Sequence, residues 1–190
     1  MTDYQPLDLS ACYNAGLEVL GQNASAPIGS QAFRGLPFLV GTAQPKSDEK
    51  CFIAFNNGTG NVTIPINQSA RCVIVAHRLL ESDLMEGGAL GKPVAEYVFH
   101  LSGDMHCPVP IRERFEIAAL AGGGAPFRAV ADQNDSLLPR YEGRWEQAGR
   151  RQTEATRGGV RGYYLWVWEN PHPDRRIESL EVTPSGPRFI

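Results

Sequence analysis

An all-β chain, folded as an antiparallel β-sandwich, is what the sequence predicts, on three observations. Apolar runs of strand length recur along it, separated by Gly, Pro, Asn and Asp. Its 190 residues include 20 glycines and 14 prolines, a density of turn formers that suits sheets better than a helical bundle. Helical patterning is scarce. "YNAGLEVL" near the N-terminus, and "HRLLESDLM" with Leu79, Leu80 and Leu84 at helical spacing, each supply a turn or two.

The strands follow in order. "LPFLV" (Leu36 to Val40), "CFIAF" (Cys51 to Phe55), "VTIPI" (Val62 to Ile66) and "RCVIVAH" (Arg71 to His77) come first. The turn "NNGTGN" between the second and third predicts a hairpin, because Asn and Gly accept positive φ cheaply. "VAEYVFHL" (Val94 to Leu101), "VPIRERFEI" (Val109 to Ile117), "PFRAVA" (Pro126 to Ala131), "YYLWVW" (Tyr163 to Trp168) and "RIESLEV" (Arg176 to Val182) complete the set. No repeat, low-complexity tract or Pro-rich linker divides the chain, so residues 1–190 read as one domain. Strands that alternate inward and outward are satisfied by two antiparallel sheets packed face to face.

Composition narrows the function classes. A net charge of −3 argues against a generic nucleic-acid binder. No run approaches the length of a membrane span, and the start, "MTDYQPLDLSACYN", lacks a basic segment followed by an apolar one. The sequence as given therefore reads as unexported and cytoplasmic. Cys12, Cys51, Cys72 and Cys107 form no CxxC pair, which points to small, buried, reduced thiols. His77, His100, His106 and His172 are scattered, and no HxH or HExxH spacing sets two ligands on one face, so no metal centre is expected. GxSxG, P-loop and Rossmann signatures are missing too, and no catalytic residue is nominated. "LAGGGAP" (Leu120 to Pro126) ends in Pro and opens no helix, so it reads as a hairpin loop.

Binding chemistry is better represented. Extended, "YYLWVW" turns Tyr164, Trp166 and Trp168 to one face and Tyr163, Leu165 and Val167 to the other. The aromatic row is either a platform that stacks on sugar rings or a face covered by the long loop before it. In "VPIRERFEI" the same alternation lines up Arg112, Arg114 and Glu116, as a polar ligand surface or as a solvated face laced by ion pairs. Six arginines against three glutamates between Arg140 and Arg161 give this segment a charge of +3 within an acidic protein. That asymmetry suits an anionic group, and places Arg144 and Trp145 among the candidate ligand contacts. The segment is expected to fold back toward the aromatic face.

The order of "LDLSACYNAGL", "LPFLV", "VTIPINQSARCVIVAHRLL", "GKPVAEYVFHLSGD…VPIRERFEI" and "YYLWVWENPHPDRRIESLEV" resembles the galactose-binding-like jelly rolls that accompany bacterial glycoside hydrolases. The resemblance implies a jelly-roll sandwich and a noncatalytic carbohydrate-binding or accessory domain. It also implies a carbohydrate ligand, in some members a structural calcium, and in others a neighbouring glycoside hydrolase domain as partner. Two further readings stand beside it. One is an interaction module that docks on a catalytic domain or on its own copy. The other is a small glycan-active hydrolase or lyase.

Overall fold

The computed structural model describes residues 4–21, 27–33, 36–42, 45, 48–89, 91–113, 115–119, 151–152 and 163–190, with backbone alone at Met85, Arg151 and Gln152. It is all-β. The strands are β1 (Gly29–Phe33), β2 (Leu36–Val40), β3 (Val62–Ser69), β4 (Cys72–His77), β5 (Pro93–Leu101), β6 (Met105–Arg112), β7 (Arg151–Gln152), β8 (Tyr164–Glu169) and β9 (Arg176–Pro184). The helical patterns appear only as 3-10 turns, Leu17–Leu20 and Leu84–Glu86, with a third at Ser10–Cys12. Pro126 to Ala131 lies outside the described residues.

Three antiparallel sheets form, where the sequence predicts two: β3-β9-β5-β6, β4-β8-β7, and the β1-β2 hairpin. The reason lies in "YYLWVW". Tyr164, Trp166 and Trp168 join a core with Phe99, Leu101 and Ile177 of the four-stranded sheet. Tyr163, Leu165 and Val167 join a second core with Phe33 and Leu36 of the hairpin and with Phe52. The central sheet is therefore covered on both sides, and a strand buried on both faces reads as a continuous apolar run.

Local chemistry explains the remaining departures. The turn at "NNGTGN" forms, with Gly58 N–H donating to Asn56 Oδ1 (2.6 Å) and Thr59 N–H to the Asn56 carbonyl (3.0 Å). It joins no hairpin, because β3 pairs with β9 and Phe52 and Phe55 make only isolated bridges, to Ala15 and Phe189. β6 starts four residues before Val109. Pro108 and Pro110 mask it in the sequence, and both are tolerated because β6 is the edge strand of its sheet among the described residues. It also stops at Arg112, where the chain turns back on itself: Phe115, Glu116 and Ile117 all direct their N–H groups at the Arg112 carbonyl.

Candidate functional site

Among the described residues, the nominated side chains fall in two places, Tyr164, Trp166 and Trp168 in a core and Arg112 in the turn that ends β6. Tyr164, Trp166 and Trp168 are 1%, 5% and 6% exposed. Trp168 stacks on Phe99 with ring centroids 3.6 Å apart, and Trp166 packs edge-on to Tyr97. The aromatic row is thus buried in the core between two sheets instead of standing as an exposed platform, with ring contacts from Tyr97 and Phe99 of the opposite sheet and from His77 of its own. Arg112 is committed elsewhere. Glu116 Oε2 accepts its backbone N–H (2.9 Å) and its Nε–H (3.0 Å), Oε1 accepts from Nη2 (2.8 Å), and the guanidinium lies 4.6 Å from the Phe115 ring centroid. The turn that ends β6 therefore removes Arg112 and Glu116 from a common flat face. Arg114, Arg144 and Trp145 lie outside the described residues. Of the arginine-rich segment, Arg151 and Gln152 are seen, paired with Trp166 and Leu165 at the β8 edge.

Beside the aromatic core sits a polar knot that sequence reasoning passes over. His77, at the end of β4 and 2% exposed, packs among Tyr97, Tyr164 and Trp166. Its Nε2 lies 2.8 Å from the Glu116 carbonyl and its Nδ1 3.0 Å from the Tyr97 hydroxyl. A carbonyl only accepts, so Nε2 carries the proton and Nδ1 accepts from Tyr97. Burial drives the imidazole pKa down to about 4, against the opposing pull of the Glu116 carbonyl, and burial also pushes the Tyr97 phenol up. Tyr164 completes the knot by donating to the Phe115 carbonyl (2.7 Å). The sequence signal was His77 itself, in phase with inward Val73 and Val75 on an apolar strand. Among the described residues, no three His, Cys, Asp or Glu side chains converge as metal ligands.

A cavity of about 1420 Å³ runs along β4 and reaches both cores. Ile64 and Ile66 line one wall, Leu36 and Phe38 the other, and the five residues Cys72 to Ala76 are all half-buried. Its floor is a strand edge. Arg71 accepts from Asn170 on the β8 side, whereas Arg78 exchanges both backbone bonds with Ile190 on the opposite side (2.9 and 3.0 Å). Consecutive residues of an antiparallel strand address alternate edges, so Val73, Val75 and His77 serve β8. Ile74 and Ala76 turn their N–H and C=O groups into the cavity, where no described residue meets them.

The far side matches. Phe55 exchanges both backbone bonds with Phe189 (2.9 and 3.1 Å), while Phe52 faces Ala15, so Ile53 points its backbone groups the same way as Phe55. Arg188 to Ile190 run between Phe55 and Leu79–Leu80, joined to both through isolated bridges at Phe189. Ile190, Ile53 and the Ile74–Ala76 stretch all line the cavity.

Comparison with protein-family models, curated proteins and solved structures gives no match to this chain.

Proposed function

We propose that the chain is a noncatalytic binding module that works through the cavity along β4. The observation that carries this reading is the coincidence of a large, mainly apolar opening with backbone groups of Ile74 and Ala76 at its floor that no described residue meets. Of the readings that the sequence allows, the interaction module gains most support. Glycan stacking would need exposed rings, and the row nominated for it is buried. A glycan module of the jelly-roll kind would have to use the cavity instead. Hydrolytic chemistry gains nothing from His77, because both ring nitrogens are engaged and its pKa of about 4 leaves it neutral at physiological pH.

Titration with the environment-sensitive dye bis-ANS tests the reading, alongside a panel of neutral and acidic oligosaccharides as competitors. A saturable, single-site fluorescence rise at micromolar dye, with near-UV circular dichroism unchanged, is expected of an open site in a native fold. A folded protein that leaves the dye dark has no such site, and the reading fails.

A further inference from the structure

We infer that His100 and His106 form a surface site for a late first-row divalent metal ion, of the copper(II), nickel(II) and zinc class. Each gives one ring nitrogen, and Glu181 positions His100. The site is separate from the cavity along β4 and goes beyond the binding-module reading.

The local sequence sets the pair up. His100 and His106 bracket "LSGDM", where the chain reverses over Ser102, Gly103 and Asp104, the last two at positive φ (+79° and +53°). β5 and β6 therefore pair antiparallel with His100 directly opposite His106. Side chains so placed share one sheet face and start about 4.5–5.5 Å apart at Cβ. Phe99 and Leu101, which alternate with His100, lie in the core, so the shared face is the outer one. The turn is held from behind. Ser102 N–H donates to the Arg176 carbonyl (2.9 Å), and Arg175 Nη1 donates to the Ser102 carbonyl (2.7 Å).

Geometry and chemistry agree on a metal ion. The two ring centroids are 4.7 Å apart. Imidazoles that share an ion in neighbouring positions, at about 2.0–2.1 Å each, have ring centres roughly 4.5–5 Å apart, so the backbone need not move. The rings meet edge to face, with planes 78° apart, and sharing an ion requires one of them to turn. His106 is exposed and turns by a rotamer change, whereas the His100 side chain, 25% exposed, is held. Its Nε2 lies 3.1 Å from Glu181 Oε2, and Asn61 Nδ2 in turn donates to Glu181 Oε1 (2.7 Å). A carboxylate only accepts, so Nε2 carries the proton and the neutral ring keeps its lone pair at Nδ1. A carboxylate behind an imidazole is how metal sites fix the tautomer and orientation of a ligating histidine. Imidazole nitrogen selects copper, nickel or zinc over calcium and magnesium. Two protein ligands leave the other positions of the ion to water or to a chelating molecule.

The test uses the whole chain and copper(II) carried by iminodiacetate, which leaves neighbouring positions on the ion for a pair of imidazoles. Electron paramagnetic resonance at neutral pH should show one site at micromolar complex, with two imidazole nitrogens on the copper. His100→Ala and His106→Ala should each lower the affinity at least tenfold and leave one imidazole in the spectrum. His172→Ala, which removes an imidazole outside the pair, should change neither. Glu181→Gln should keep both nitrogens and weaken binding about tenfold, the lower end of the range for partners behind ligating histidines. A large excess of calcium should displace nothing. One imidazole in the spectrum of the unaltered chain, no binding at millimolar complex, or two nitrogens that survive His106→Ala overturns the site, and the first two need no variant to fold. Displacement by calcium overturns the metal class. Undiminished affinity in Glu181→Gln overturns the positioning role.

Discussion

The indole of Trp168 lies flat against the ring of Phe99, centroids 3.6 Å apart and planes 3° from parallel, across the interface of the two larger sheets. Each ring comes from a different sheet, and both are buried. Trp168→Ala should therefore cost roughly 3–5 kcal/mol of stability, the scale of a large-to-small change in a packed core. Urea denaturation checks it, and a loss below about 1 kcal/mol would place Trp168 outside the core.

Acid should weaken the fold through His77. Its folded pKa, about 4, lies below the 6.5 of a free imidazole. As pH falls the unfolded chain takes up the proton first, so the contribution is present above pH 6.5, is lost on descent toward pH 4, and changes no further below it. The loss amounts to about 3 kcal/mol. His77→Gln should flatten this part of the pH profile of the urea midpoint; a profile identical to that of the unaltered protein would disprove the assignment.

Glu116→Ala should loosen the turn that ends β6. The carboxylate, about one-tenth exposed, holds Arg112 through its main chain and two guanidinium nitrogens, and its loss removes all three of these bonds. A cost of about 2 kcal/mol follows from charge-assisted bonds in a half-buried setting. Amide exchange at Phe115 to Ile117 should quicken before the rest of the sheet; uniform acceleration across the chain would argue for a global effect instead.

Two glycines separate strain from collision. Gly21 (φ +83°) and Gly41 (φ +58°) both occupy backbone that favours glycine. A Cβ on Gly21 meets nothing within 4 Å, whereas one on Gly41 would sit 2.4 Å from Cys51 Cβ. Gly21→Ala should cost about 1 kcal/mol and Gly41→Ala clearly more. Equal melting temperatures for the two variants would show that Cys51 moves aside freely.

Strand-length apolar runs made β2, β4, β5, β8 and β9 legible, because each presents an unbroken apolar or alternating stretch of the right length. β6 was half hidden by Pro108 and Pro110, whose tolerance depends on an edge position that no local pattern announces. The third sheet was hidden for another reason. An aromatic row on one strand face looks the same whether a ligand or a second sheet covers it, and only the positions of Phe99 and Tyr97, more than 60 residues earlier in the chain, decide. The cavity was illegible altogether. Which edge of β4 faces the cavity follows from long-range pairing, Arg71 with Asn170 and Arg78 with Ile190, and not from any property of Ile74 or Ala76.

The double burial of β8 has a consequence for how the chain is made. Both cores wait for the same six-residue strand, and their buried members stretch from Leu20 to Ile190. During synthesis the ribosome releases β1 to β6 long before Tyr163, so their inward faces remain wet until β8 emerges. Contacts so distant in sequence slow folding and lengthen the time an apolar segment such as "YYLWVW" is exposed to neighbouring chains. Yield on expression should thus depend on temperature and on chaperone supply more steeply than the modest size of the protein suggests.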